Sequence, residues 1–344
     1  HLEHAGNFVL DSSTDMSKTC ELTKAAKSGG SLVLAQLSHA GRQTPKAINP
    51  DPLSISNLKL DLEGYGQPRM ASDKDFSELI EKFSTSAKLA QECGFDGVEI
   101  HAAHGYLLSS SLSPRINNRK DKWGGSFENR ARLLQLILQK VRESVGNNFI
   151  LAVKINSSDF QKGGLEISDS VKIANLIEKE NIDFIEVSGG NFEAPEAYQY
   201  VSLKESTKSR EAYFLDAAKN IKASVSIPIM VTGGFRSISV MEDALTSSST
   251  DLIGIGRPFV IDPSFPNKLL NGDISVLPAV ERNFPPAQDI PKGAVLNWFC
   301  DQLALQGKTG KGDINIPLID GHERYIKQSD EATHSLISFR NDSK

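Results

Sequence analysis

Two histidines three positions apart, with a tyrosine two further on, give this chain its sharpest chemical feature: His101-Ala102-Ala103-His104-Gly105-Tyr106. If the backbone turns there, both imidazoles can converge on one oxygen and polarise a carbonyl or bind an anionic phenol. Tyr106 would then be available as a proton donor. The same residues also read as loop histidines bonded to backbone. A metal centre would need a third ligand, and the spacing is not the HExxH of a helical zinc site. Gln36 closes the apolar run Val33-Leu34-Ala35. Its amide can pair with a ring bearing both donors and acceptors, or satisfy its own loop. Lys154 interrupts the apolar run 150–155; facing inward it would stabilise negative charge on a cofactor, and facing outward it would snorkel to water. Two turns, Thr232-Gly233-Gly234-Phe235-Arg236 and Gly254-Ile255-Gly256-Arg257-Pro258, let backbone N–H groups approach phosphate oxygens, with Arg257 able to bind bidentately. Neither turn alone is specific, and neither is the GxGxxG of a dinucleotide fold at its first strand.

These residues need elements to hold them. Short β-branched runs at 32–36, 97–101, 149–154, 184–187, 228–231 and 252–255 read as strands, near-continuously apolar as a parallel sheet covered on both faces requires. Between them, apolar residues recur with a helical period at 76–93, 129–145, 168–180, 213–221 and 239–245, the first two stopping at Gly94 and Gly146. Strand–helix alternation with right-handed crossovers leaves a barrel or a doubly wound sheet. The chemical residues fall at the C-terminal ends of the strands, the rim where barrel active sites sit, and the glycine turns follow the last two strands, where barrels build phosphate sites. A (β/α)8 TIM barrel needs eight strands and six are legible. The reading is therefore a barrel incomplete at its N-terminus, with an open sheet as the alternative. Residues 44–69 read as a long rim loop. Residues 113–130 read as a structured loop stapled by Arg119, Asp121 and Arg130. Residues 258–344 read as a loop and helical tail packed by Trp298 and Phe299.

The chain has 344 residues, 39% hydrophobic and 24% charged, with a formal net charge of −5. That is an ordinary globular composition, here taken as one domain over residues 1–344 with no internal repeat. Mild acidity without a basic block argues against nucleic acid. No apolar run approaches the roughly 18–20 residues of a membrane span. Cys20, Cys93 and Cys300 are too scattered for a metal or iron–sulfur site, and the odd count suits a reducing compartment, the cytoplasm. The first residue is His1 rather than Met, so an N-terminal segment, a targeting signal included, is expected to be absent from this sequence.

Three blocks together resemble the old yellow enzyme family of FMN-dependent oxidoreductases, closest to its NADH:flavin oxidoreductase/NADH oxidase-like branch. They are Gln36-Leu37-Ser38-His39-Ala40-Gly41-Arg42, the run from Gly94 through His101 and His104 to Leu108, and residues 113–130. The turns at Gly233-Gly234 and Gly256-Arg257-Pro258 match in order. The resemblance implies an FMN-binding barrel that takes hydride from NAD(P)H and passes it to the β-carbon of an alkene conjugated to a carbonyl or nitro group. It implies that Gln36 bonds the flavin pyrimidine, Lys154 sits near its N1/O2 edge, and Gly233, Gly234, Gly256 and Arg257 hold the phosphate. His101 and His104 would bind the substrate oxygen and Tyr106 would protonate the α-carbon. Ser111 stands where family members usually carry an aromatic, and Trp123 where they carry Tyr. From cysteine count and length, the branch with an iron–sulfur cluster and a second nucleotide domain is not the one expected. A small-molecule alkene is the expected partner, and a homo-oligomer is compatible with it. Other readings are a non-catalytic scaffold derived from a barrel, and an FMN barrel oxidising an alcohol or hydroxy acid. The second of these would want a base and an arginine clamp rather than two histidines and a tyrosine.

Overall fold

The computed structural model describes residues 2–194 and 211–342. All six apolar runs fold as strands: β1 (Leu34–Leu37), β2 (Gly97–Ala102), β3 (Ile150–Asn156), β4 (Phe184–Ser188), β5 (Ile229–Thr232) and β6 (Leu252–Gly254). They form one sheet in chain order. The registers are parallel: Gln36 lies opposite Glu99, His101 opposite Lys154, Lys154 opposite Glu186, and Thr232 opposite Gly254. In β3, Leu151, Ala152, Val153 and Ile155 are all inaccessible to solvent, so neither face can be polar.

The crossover segments are helical: α1 (Met16–Lys27), α2 (Asp73–Glu92), the short α3 (Leu107–Leu112), α4 (Phe127–Val145), α5 (Ile167–Ile177), α6 (Leu215–Lys222) and α7 (Ile238–Thr246). Helix α2 starts with a reciprocal capping box. Ser72 accepts from the Asp75 N–H, and the Asp75 carboxylate takes the Ser72 N–H and both arms of Arg69 at 2.9 Å. Helix α4 starts behind Ser126 and stops at Gly146, whose φ of 73° a side chain would resist.

Three local readings are corrected. Helix α5 begins behind Glu166, whose N–H donates to Asp169, so it starts at Ile167, one residue before the expected range 168–180, and ends at Ile177. Helix α1 has no counterpart in the apolar periodicity, because its buried face is Thr19 and Thr23. It is held by the Asp15 cap and by a disulfide from Cys20 to Cys93, so two of the three thiols expected to be free are paired. A separation of 73 residues hid that pairing from the sequence. Residues 44–69 are more than a rim loop: Leu53–Ser54 pairs in parallel with Arg69–Met70, and Ile55 and Leu60 are fully buried. Arg119 closes over this segment, donating to the carbonyls of Ile55 and Ala71 and to Asp121, as the stapling role requires. Trp123 stacks on Phe76 and donates to Asp73.

Two compact units are distinguished, one of His1–Glu193 with Asn220–Ile229, the other of Ala194–Lys219 with Met230–Lys344. In the second, α8 (Arg257–Ile261), α9 (Phe265–Leu270), α10 (Ala294–Thr309) and α11 (Leu318–Asp342) make up the tail. Trp298 and Phe299 anchor it as expected, with Val295 and Leu318 in the same cluster and the indole N–H donating to the Ile316 carbonyl. No described helix is long and apolar enough to cross a membrane.

Candidate active site

In the first unit the ends of β1 to β4 converge. The Gln36 carboxamide N–H₂ donates to Glu99 at 2.5 Å. Lys154 reaches Glu99 at 3.3 Å and Glu186 at 3.1 Å. Burial alone would lower the Lys154 pKa, but the two carboxylates outweigh it and the net direction is up. Glu99 moves the opposite way: burial works against its charge, and hydrogen bonds from Glu186, Gln36 and Lys154 with the ammonium's charge bring its pKa down. Lys154 therefore faces inward.

Beyond β2 the chain does turn, and the turn is costly. His104 has φ 61° and Gly105 φ 79°. A Cβ at Gly105 would lie 2.6 Å from the Gln43 side-chain oxygen and 2.9 Å from Asn191. The left-handed His104 backbone is held by Asn156, which accepts its N–H at 3.0 Å, and by Gln43, which donates to its carbonyl. Its ring Nε2 lies 2.9 Å from the Ser188 hydroxyl at the end of β4. Three rings are thereby gathered. His101 packs edge-on against both His104 and Tyr106, centroids 5.0 Å apart in each pair. Phe192 flanks Tyr106 at 5.8 Å and Tyr65 at 6.5 Å.

Both imidazoles are neutral. Burial, then the charge of Lys154, lowers His104 to about 3. Burial, then His104 and Lys154, holds His101 well below its ordinary value. His101 Nδ1 accepts the Ala103 N–H, which leaves the His101 proton on Nε2 as a donor. The Tyr106 hydroxyl donates to Glu3, whose carboxyl is pushed up by burial. Among the described residues no cluster of three His, Cys, Asp or Glu is arranged to hold a metal.

The second unit carries the glycine turns. The register of Thr232 with Gly254 brings them from adjacent strand ends, and a Cβ at Gly254 would fall 1.7 Å from the Thr232 hydroxyl oxygen. Gly233 and Gly234 have positive φ and lie under the rings of Phe214 and Tyr213, each of which a Cβ would meet at 2.7 Å. The amides at the start of α7 are already used: Arg236 and Ser237 N–H donate to Glu211 at 2.6 and 2.7 Å. Arg257 shares Glu281 with Arg236, at 3.3 and 2.6 Å respectively. Among the described residues the buried Thr232 hydroxyl has no hydrogen-bond partner, and the space beside Gly256 is open.

Sequence reasoning thus singled out Gln36, His101, His104, Tyr106 and Lys154, and these lie at neighbouring strand ends of one unit. It missed Glu99, Glu186, Ser188, Asn156 and Glu3. The isolated carboxylates at 99 and 186, inside apolar strands, were the available signal. Nothing local marks Glu3 or Ser188.

Residues 4–273 match the NADH:flavin oxidoreductase / NADH oxidase family. An NADH-dependent flavin oxidoreductase of Aspergillus parasiticus is 37% identical over 297 residues, covering 82% of this chain and 66% of the relative. A solved 2-naphthoyl-CoA reductase complex superposes with TM-score 0.74 and 27% identity over 80% of this chain and 44% of its own. An old yellow enzyme homologue from Zymomonas mobilis, at TM-score 0.65 and 24% identity, covers 83% of this chain and 78% of its own and shares the TIM-barrel fold. The chain spans 38 to 66% of the length of the first three curated relatives it matches.

Proposed function

Because the chain belongs to the NADH:flavin oxidoreductase / NADH oxidase family, in which FMN is the cofactor and NAD(P)H the reductant, we propose that it reduces activated alkenes, α,β-unsaturated carbonyl or nitro compounds. The observation that carries this reading is the convergence of His101, His104 and Tyr106 on one place, with both histidines neutral. Neutral imidazole donors withdraw electron density from a carbonyl or nitro oxygen without holding a fixed cation there, which activates the β-carbon. Tyr106 gives the α-carbon its proton from Oη.

The residues present fit FMN. In the first unit, Gln36 has its N–H₂ committed to Glu99, so its carbonyl oxygen is the group that meets a ring N–H, and Lys154 supplies a cation beside it. In the second unit, the partnerless Thr232 hydroxyl and the open space at Gly256 suit a phosphate, with Gly233, Gly234 and Arg257 around it. Bound FMN, reduced by NAD(P)H, supplies the hydride. Residues 1–344 act in this reading as one FMN-binding domain working on a small molecule. The Cys20–Cys93 disulfide removes the cysteine argument for a reducing compartment, so the cytoplasm is proposed here on the supply of NAD(P)H alone.

The test is spectroscopic. The chain is loaded with FMN, freed of excess and titrated anaerobically with NADPH, then with a conjugated cyclic enone. Retained flavin should bleach with NADPH and regain its absorbance with the enone. A folded sample that keeps no flavin would overturn flavin catalysis by this chain. Bleaching without recovery would overturn the alkene substrate.

A further inference from the structure

Beside the two histidines, the first unit links three rings in series. Tyr106 is buried; Phe192 meets it edge-on at 5.8 Å and meets Tyr65 edge-on at 6.5 Å, and both of these rings are half-buried. Each sits in a loop, yet neither loop is loose around its ring. Before Phe192, Asn191 pairs with His104 through the backbone and donates its side-chain N–H₂ to Gln161 at 3.0 Å. Its carbonyl oxygen accepts the Glu193 N–H at 2.9 Å, and the Glu193 carboxylate pairs with the buried Arg42 on the other side of the ring. Tyr65 stands between two glycines. Gly64 has φ 87° and its carbonyl takes the Lys46 N–H at 2.8 Å, while a Cβ on Gly66 would lie 2.5 Å from the Pro50 carbonyl oxygen. Aromatic surface left half in water, and fixed in place from both sides, is what a preformed site offers a ligand.

We propose that Phe192 and Tyr65 determine specificity, forming with Tyr106 an aromatic wall that selects alkenes bearing a flat aryl group over alkenes bearing a saturated ring of the same size. The proposal rests on the alkene reading above and names its substrate class. With the carbonyl on His101 and His104 and the α-carbon at Tyr106, the rest of the molecule extends past the ring that Phe192 covers. The discrimination has a physical basis. Aromatic rings attract one another directionally, the positive edge of one toward the negative face of the next, in edge-on or offset contact. A cyclohexyl group has no such face and is thicker, so it gains only from leaving water.

Two aldehydes that differ only in that ring, trans-cinnamaldehyde and trans-3-cyclohexylpropenal, test it. Each is titrated into the FMN-loaded full chain in its oxidised form, where neither is reduced, and its dissociation constant is read from the change in the flavin spectrum. The phenyl compound should bind about tenfold more tightly. Phe192→Leu and Tyr65→Leu should each lower that ratio about threefold or more, and Phe192→Tyr, which keeps a ring, should preserve it. A ratio near one in the full chain, Leu variants that weaken both aldehydes equally, or loss of the ratio in Phe192→Tyr would overturn the role of the rings. Adding NADPH afterwards separates this from the alkene reading. If the reduced flavin is reoxidised by neither aldehyde while the ratio and its loss hold, the alkene reading falls and the selection of aryl ligands stands. Failure of the full chain to retain FMN would overturn both together.

Discussion

Tyr106 is the residue on which the chemistry turns, and its type and place were legible because a phenol two residues past a histidine pair has few structural reasons to be there. Its environment was not. The rings of His101 and Phe192 flank it, and its hydroxyl donates to Glu3, 103 residues away in sequence. If Tyr106 supplies the proton, Tyr106→Phe should lower the rate of alkene reduction by about 10² to 10⁴-fold. Reduction of the flavin by NADPH should be unchanged, since no proton from Tyr106 enters that half-reaction. Stopped-flow measurement of the two half-reactions separates them, and equal losses in both would show that the substitution damages the fold instead. Glu99 and Glu186 were visible as letters, but their meaning depends on parallel register, which no local pattern carries.

At the scale of elements, strand and helix positions follow from periodicity, and the boundaries follow from caps that periodicity does not register. Helix α2 begins three residues before its apolar pattern because Ser72 and Asp75 satisfy the amides there. Ser72→Ala removes the hydroxyl side of that box and should cost about 1 kcal/mol of stability. Urea denaturation measures it, and an unchanged midpoint would mean that Arg69, through its paired bonds to Asp75, suffices to start the helix. Helix α1 is the opposite case. With two threonines as its buried face it gives no amphipathic signal, and only its cap and the Cys20–Cys93 bond show why it forms.

For the whole molecule, buried neutral histidines make stability depend on pH. His39 and His104 are lowered to about 3, chiefly by burial, and His101 lies well below 6.5. The unfolded chain, with histidines near 6.5, binds more protons than the folded one below that pH. Their contribution is complete above pH 6.5 and is lost as the pH falls toward 3. The unfolding free energy from urea titration should drop between pH 7 and pH 4.5, by up to about 1.4 kcal/mol per histidine for each pH unit below 6.5. A flat profile would show that these rings are solvated. The sequence by itself determined the class of fold, the six strands and the residues able to hold a carbonyl, a proton or a flavin edge, because apolar period and side-chain type are local properties. Only tertiary structure decided that the imidazoles are neutral, that Gln36 offers its carbonyl, and that Lys154 is shared by two carboxylates. Those outcomes depend on register and burial, which arise when strands distant in the chain come side by side.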